Sequence, residues 1–228
     1  MGSTRAVIHL DNLRNNIRLI KNCIKPGVRI CASVKADAYG HGAIEVSRTA
    51  LQEGVSYLSV ATLEEVFSLR QEGFTCPILL LTSPLPEEFP YLIENDISLL
   101  VGEAGMARNL DQTARRIGKK ALIHLDIDTG MGRIGCFPKD TVSLAKAIVS
   151  GENLVLEGTA THFSEPENSD FSFTEEQIFR FEESLAALRK EGIDPGIVHA
   201  SNSGAIFQHP KAHRSEEHTS ELQSRQVI

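Results

Sequence analysis

The feature that most constrains this chain is a repeat of pattern rather than of sequence. A short aliphatic run, a turn, an amphipathic helix and a glycine or polar break recur about seven times, roughly 20 to 40 residues apart. The runs cover 28–35, 57–61, 77–81, 97–101, 120–127, 154–162 and 196–200. Pro77-Ile78-Leu79-Leu80-Leu81 is nearly continuous in aliphatics, the pattern of a strand covered on both faces. Parallel strands with covering helices satisfy this order. Seven units predict an α/β fold of the (β/α)8 TIM-like barrel type. A doubly wound sheet would favour a glycine-rich phosphate loop after the first strand, and the chain has none there.

Helix signals fit the same frame. Asp11 is expected to cap a helix whose apolar face is Leu13, Ile17, Ile20 and Ile24. Thr62 with Glu65 reads as a capping box, and so does Thr174 with Gln177 ahead of Ile178, Phe181, Leu185 and Leu188. The barrel is expected over residues 1–213 and to be incomplete. Residues 214–228 have no strand period and too few apolar groups to close it, so they are read as a foreign-looking or disordered tail.

A net charge of −7 argues against nucleic acid or an anionic membrane as partner. No apolar run is long enough to span a bilayer, and the N-terminus turns polar too soon for a signal peptide. Cys23, Cys31, Cys76 and Cys136 are scattered without a C-x-x-C pair, which predicts neither a zinc ribbon nor a disulfide framework and fits a reducing cytoplasm.

In such a barrel the loops after the strands form one face, where active sites lie. Lys35 and Tyr39 follow the first strand. Asp126, Asp128 and Arg133 follow the fifth, Thr161 and His162 end the sixth, and His199, Asn202 and Ser203 follow the seventh. Taken singly, each has a plain alternative: a lysine reaching for water, a hydrogen-bonded histidine, a turn at Asp128-Thr129-Gly130. Taken together, they leave two chemistries open. His124, Asp126, His162 and His199 are the residue types of a divalent-metal hydrolase, although no H-x-H pair stands near the first strand. Alternatively, Lys35 supplies a neutral amine that attacks an aldehyde. Pyridoxal 5'-phosphate is the natural aldehyde cofactor. Ser203 and the following helix N-terminus would serve its phosphate, with Tyr39 adding a hydroxyl.

Here four blocks resemble one family. Ala32-Ser33-Val34-Lys35-Ala36-Asp37-Ala38-Tyr39-Gly40-His41-Gly42 resembles the cofactor-attachment motif of alanine racemases, and Asp128-Thr129-Gly130-Met131-Gly132-Arg133-Ile134-Gly135 resembles their second motif. Thr161-His162-Phe163 and His199-Ala200-Ser201-Asn202-Ser203 match two further blocks in order. The similarity covers most of the family's N-terminal barrel and none of its C-terminal β-domain. It implies that Lys35 holds pyridoxal 5'-phosphate as an aldimine and then acts as the base on one face. Tyr39 and Ser203 would bind phosphate, and Asn202 would position the cofactor. His162 would join the network behind its ring, and Arg133 would meet the phenolic oxygen and the substrate carboxylate. No metal is implied.

Two departures are visible. Asp126 stands where many members carry a lysine carbamate, which predicts that Asp126 holds Arg133 directly or through water. Asp37 replaces a common asparagine. The resemblance also implies a homodimer interconverting L- and D-alanine for peptidoglycan, with the opposite-face acid a tyrosine of the partner subunit's C-terminal domain. That tyrosine and the eighth-strand arginine facing the pyridine nitrogen are missing from this sequence, so the chain alone is expected to be inactive. A serine-preferring racemase of the same family and a non-catalytic pyridoxal-phosphate carrier remain the alternatives.

Overall fold

The computed structural model describes residues 6–214 and the backbone of residues 216–219. Strands β1 (Arg29–Ser33), β2 (Tyr57–Val60), β3 (Ile78–Leu80), β4 (Ile97–Val101), β5 (Ala121–Asp126), β6 (Leu154–Ala160) and β7 (Ile197–His199) run parallel, each beside its neighbour in sequence. The helices are α1 (Leu10–Cys23), α2 (Lys35–Gly40), α3 (Ala43–Gln52), α4 (Leu63–Gln71), α5 (Phe89–Glu94), α6 (Ala104–Ile117), α7 (Thr141–Val149), α8 (Ser172–Lys190) and α9 (Ser203–Gln208). The seven expected β/α units are all present.

The ring of strands differs from expectation at one place. Residues 216–219, inside the segment set apart as a tail, form β8 (Glu216–Thr219). This strand pairs parallel with β1 from Arg29↔Glu216 to Ala32↔Thr219, and with β7 through His199↔Glu216. The facing edges of β1 and β7 would otherwise present a row of unpaired N–H and C=O groups. Backbone pairing satisfies that row whatever side chains the filling strand carries. Reading side-chain period alone could not anticipate this. The remainder of the tail lies outside the described residues.

Strand alternation sorts side chains into two layers. Ile30, Ala32, Leu58, Val60, Ile78, Leu80, Leu99, Val101, Ile123 and Leu125 face the helices and belong to the main apolar cluster, where Leu13, Ile17, Leu110 and Phe181 meet them. Each fully buried aliphatic contributes about 1.5–3 kcal/mol relative to exposure. The barrel interior is filled differently. Cys31, Tyr57, Leu79, Leu100 and Ala160 form a small separate cluster, and the buried Ser33, Ser59, Ser98, His124, Asp126 and His199 alternate with the helix-facing positions on their strands.

Two helix starts differ from their expected caps. The N-cap of α1 is His9, with Asp11 in the first turn, where an acid still meets the helix dipole favourably. Helix α8 begins at Ser172, before Thr174, so Gln177 is not a capping partner. The Thr62–Glu65 capping box at α4 forms as expected.

Candidate active site

The C-terminal ends of the strands surround a cavity of about 330 Å³. Lys35, Tyr39, Asp126, Arg133, His162 and Asn202 line it, with Leu81, Leu100 and Ile134 as apolar wall. Six of the seven expected site residues therefore converge. Ser203, the first residue of α9, is buried but lies outside the cavity wall. A Glu167 carboxylate oxygen crowds the same helix start so closely that any Cβ on Gly204 would collide with it.

Lys35 enters the cavity because α2 is not a right-handed helix. Ala36, Asp37, Ala38 and Tyr39 have φ of 52 to 55° and ψ of 38 to 49°, a single left-handed helical turn of four non-glycine residues. That conformation costs roughly 1–2 kcal/mol per residue, so contacts around it must hold it. The Glu65 carboxylate accepts the Ala36 N–H at 2.6 Å. Asp37 Oδ1 accepts the Ala43 N–H at 2.7 Å, so this departure from the motif caps α3. The turn brings Tyr39 back over its own strand: its hydroxyl is 3.5 Å from Ser33 Oγ, and Lys35 Nζ lies 6.0 Å from its ring centroid.

The second motif is a loop held by its own aspartate. Asp128 Oδ1 accepts the N–H groups of Gly130 and Gly132, each at 3.0 Å. A Cβ on Gly102, just past β4, would sit 2.6 Å from Gly135 Cα, and Gly135 itself has φ of +104°. Glycine at both positions lets the loop carrying Arg133 lie flat on the strand end. Thr129 ties this loop to β6, its hydroxyl 2.8 Å from Thr161 Oγ1, while Gln177 donates to Thr129 Oγ1 and to the His162 carbonyl. The Thr174–Gln177 pattern predicts a capping role for Gln177; the side chain is instead fully buried between the second-motif loop and the end of β6.

Electrostatics divide the polar wall. Burial raises the Asp126 carboxyl to about 7, with Arg133 pulling down and Asp128 pushing up. Arg133 thus acts on Asp126 through space; among the described residues no hydrogen bond or ion pair joins the two. Burial lowers His162 to about 4, and the positive charges of Arg133 and Lys35 lower it further. His162 is therefore neutral at pH 7. Asn202 lines the cavity and also caps α9, accepting the Ala205 N–H at 3.2 Å and donating to the Phe163 carbonyl at 3.2 Å.

Deeper in the barrel lies a row that joins His124 and His199 to Glu157, an acid the sequence did not single out. His199 Nε2 is 2.7 Å from His124 Nδ1, and His124 Nε2 is 3.1 Å from Glu157 Oε2, which also accepts from Ser98 Oγ at 2.5 Å. The available signal was an acid inside the apolar run Leu154-Val155-Leu156-Glu157. Among the described residues, no group of three or more His, Cys, Asp or Glu side chains is placed to hold a metal ion, and no helix is long and apolar enough to cross a membrane.

Fold and site together define a parallel α/β-barrel protein with a lysine- and arginine-bearing ligand cavity at its strand ends. Comparison with known proteins narrows this further. The family described as "Alanine racemase, N-terminal domain" matches residues 8–219, and the chain belongs to that family. It is 46% identical over 215 residues to the alanine racemase of Treponema denticola, covering 93% of this chain and 57% of the relative. Against the alanine racemase of Methanococcus maripaludis it is 42% identical, covering 91% and 56%. Among solved structures, alanine racemase of Clostridium difficile 630 superposes with a TM-score of 0.90 at 35% identity, covering 97% of this chain and 59% of that one. Alanine racemase from Bacillus anthracis with bound L-Ala-P gives 0.89 at 32% identity, covering 97% and 57%. The chain therefore spans a little over half the length of these relatives.

Proposed function

We propose that this chain holds pyridoxal 5'-phosphate at Lys35, and that the complete protein uses it to interconvert L- and D-alanine, supplying D-alanine for peptidoglycan. The observation that carries the reading is the convergence of Lys35, Tyr39, Arg133, His162 and Asn202 on one cavity in a chain of this family.

The donor set fits the cofactor. Lys35 offers a primary amine for an aldehyde carbon, Tyr39 offers a hydroxyl for a phosphate, and Leu81, Leu100 and Ile134 offer an apolar wall for a ring, while Ser203 adds a hydroxyl just outside the wall at the start of α9. A phosphate at Ser203 would share the start of α9 with the Glu167 carboxylate, which lies against Gly204. When bound, the group supplies an electron sink that acidifies the substrate α-carbon. The chain's own residues do the rest. Lys35 Nζ would move the α-proton on one face of the substrate. The planar Arg133 fork grips the substrate carboxylate and fixes which face is presented. His162, lowered to about 4 by burial and by the positive charges of Arg133 and Lys35, stands beside them as a neutral hydrogen-bonding ring. Asp126, raised to about 7 by burial, becomes a counter-charge to Arg133 as it ionises.

Racemisation needs a second acid or base on the opposite face. This reading assigns it to a tyrosine of the partner subunit in a homodimer. The test is D-alanine formation by the complete protein from L-alanine, with L-serine as competitor. The expected result is D-alanine accumulation, with kcat/KM for L-serine at least ~10-fold lower. Preference for serine would reassign the substrate, and no D-amino acid from either, with cofactor bound, would contradict racemisation.

A further inference from the structure

From the hydrogen bonds of Glu65 we infer that it is a positioning residue for Lys35, acting across two loops of the barrel; the link to Lys35 chemistry rests on the reading above. Glu65 looks like the third-position acid of an ordinary capping box, and it does serve α4: Oε2 accepts the Thr62 N–H at 3.3 Å while Thr62 Oγ1 accepts the Glu65 N–H at 3.3 Å. A capping box needs only that one backbone acceptor contact from the acid. Glu65 makes two more. Oε2 also accepts the Ala61 N–H at 2.7 Å, at the end of β2. Oε1 reaches across to the next loop and accepts the Ala36 N–H at 2.6 Å.

Ala36 is the residue immediately after Lys35 and the first of the four left-handed residues. Each half of the turn has its own carboxylate: Asp37 holds the exit at Ala43, and Glu65 holds the entry. The entry matters more for chemistry, since the peptide between Lys35 and Ala36 sets the direction in which the Lys35 side chain leaves the strand. Both contacts at 2.6 and 2.7 Å are charge-assisted and short, as expected for a carboxylate spanning two rigid backbones. The arrangement makes Glu65 a strut between the ends of β1 and β2.

A glutamine at position 65 discriminates a strut from a cap. Glutamine serves a capping box as well as glutamate does. It has one acceptor oxygen, however, and the strut uses both carboxylate oxygens toward N–H donors, so an amide must turn its NH2 toward one of them. Thr62→Ala gives the converse, weakening the cap of α4 while leaving the Ala36 contact in place.

The experiment measures hydrogen exchange at the Ala36 amide, thermal stability and pyridoxal 5'-phosphate affinity from its visible absorbance, for the wild-type chain, Glu65→Ala, Glu65→Gln and Thr62→Ala. Ala36 exchange is expected to accelerate at least ~10-fold in Glu65→Ala and several-fold in Glu65→Gln, and to stay within about twofold of wild type in Thr62→Ala. Cofactor affinity should fall in the same order, while Glu65→Gln keeps near-wild-type thermal stability. Equal acceleration in Glu65→Ala and Thr62→Ala, or unchanged affinity in Glu65→Ala, would overturn the inference. If exchange follows the expected order but the wild-type chain takes up no cofactor, the strut stands and the proposed function fails instead.

Discussion

His124 Nδ1 and His199 Nε2 lie 2.7 Å apart, two buried imidazoles joined inside the barrel. The direction of that bond is set at its far end. An ionised Glu157 only accepts, so the proton at 3.1 Å belongs to His124 Nε2; in the neutral tautomer this selects, His124 Nδ1 accepts from His199 Nε2–H. A carboxylate in the middle of β6 thereby orients, through His124, the ring of His199, which lines the cavity.

Removing that carboxylate should be felt in stability. Glu157→Ala strands a buried His124 N–H and leaves the Ser98 hydroxyl only its 3.1 Å contact with the Tyr57 hydroxyl, and is expected to cost about 1–3 kcal/mol in urea unfolding at pH 7. Although burial opposes it, hydrogen bonds from His124 and Ser98 hold the Glu157 carboxyl below its ordinary 4.5. A lowered acid stabilises the fold above its unfolded pKa and loses that stabilisation as pH falls through the folded one. The difference between wild type and Glu157→Ala should therefore shrink on acidification below 4.5. A pH-independent difference would count against the ionised ladder.

Asp126 and His162 should tilt stability in opposite directions over one pH window. Asp126 is raised from 3.8 to about 7, so it favours the fold at low pH and stops doing so as pH rises through 7. His162 is lowered from 6.5 to about 4, so its penalty is present below 4 and is relieved as pH rises through 6.5. Each shift corresponds to roughly 3–4 kcal/mol at ~1.4 kcal/mol per unit, and the two largely cancel. Asp126→Asn should gain stability relative to wild type from pH 4 to 7, and His162→Asn should lose it. Thermal melts across that range check both signs; parallel curves for all three proteins would contradict the assigned burial.

Two neighbouring glycines should respond with opposite signs. Gly102→Ala places a methyl 2.6 Å from Gly135 Cα and should destabilise by about 1–3 kcal/mol while displacing the Arg133 loop. Gly105, in the first turn of α6, meets nothing nearer than 4.0 Å, and Gly105→Ala should be neutral or stabilising by up to ~1 kcal/mol. Denaturant midpoints of the two variants provide the comparison.

Much of this arrangement was legible in the sequence, for stated reasons. Continuous aliphatic strands alternating with amphipathic helices made a parallel barrel the natural solution, and the loops after the strands put Lys35, Asp126, Arg133, His162 and Asn202 on one face. Backbone geometry and long-range partners were not legible. Nothing local distinguishes the left-handed turn at Ala36–Tyr39 from the start of an ordinary helix, because none of its four residues is glycine. Glu65 read as a cap because its second partner, Ala36, is 29 residues away. Gln177 and Glu157 were obscured in the same way, the first by a capping pattern and the second by an apolar strand. Strand β8 escaped because its pairing depends on backbone alone.

The central claim is that Lys35 is the amine that holds the cofactor. Its most direct measurement is borohydride reduction of the chain mixed with pyridoxal 5'-phosphate, followed by peptide mass spectrometry. The account predicts one phosphopyridoxyl group, on the peptide containing Lys35, with the visible absorbance lost in Lys35→Ala. A modified wild-type chain bearing the label on other lysines, or a chromophore that persists in Lys35→Ala, would contradict it.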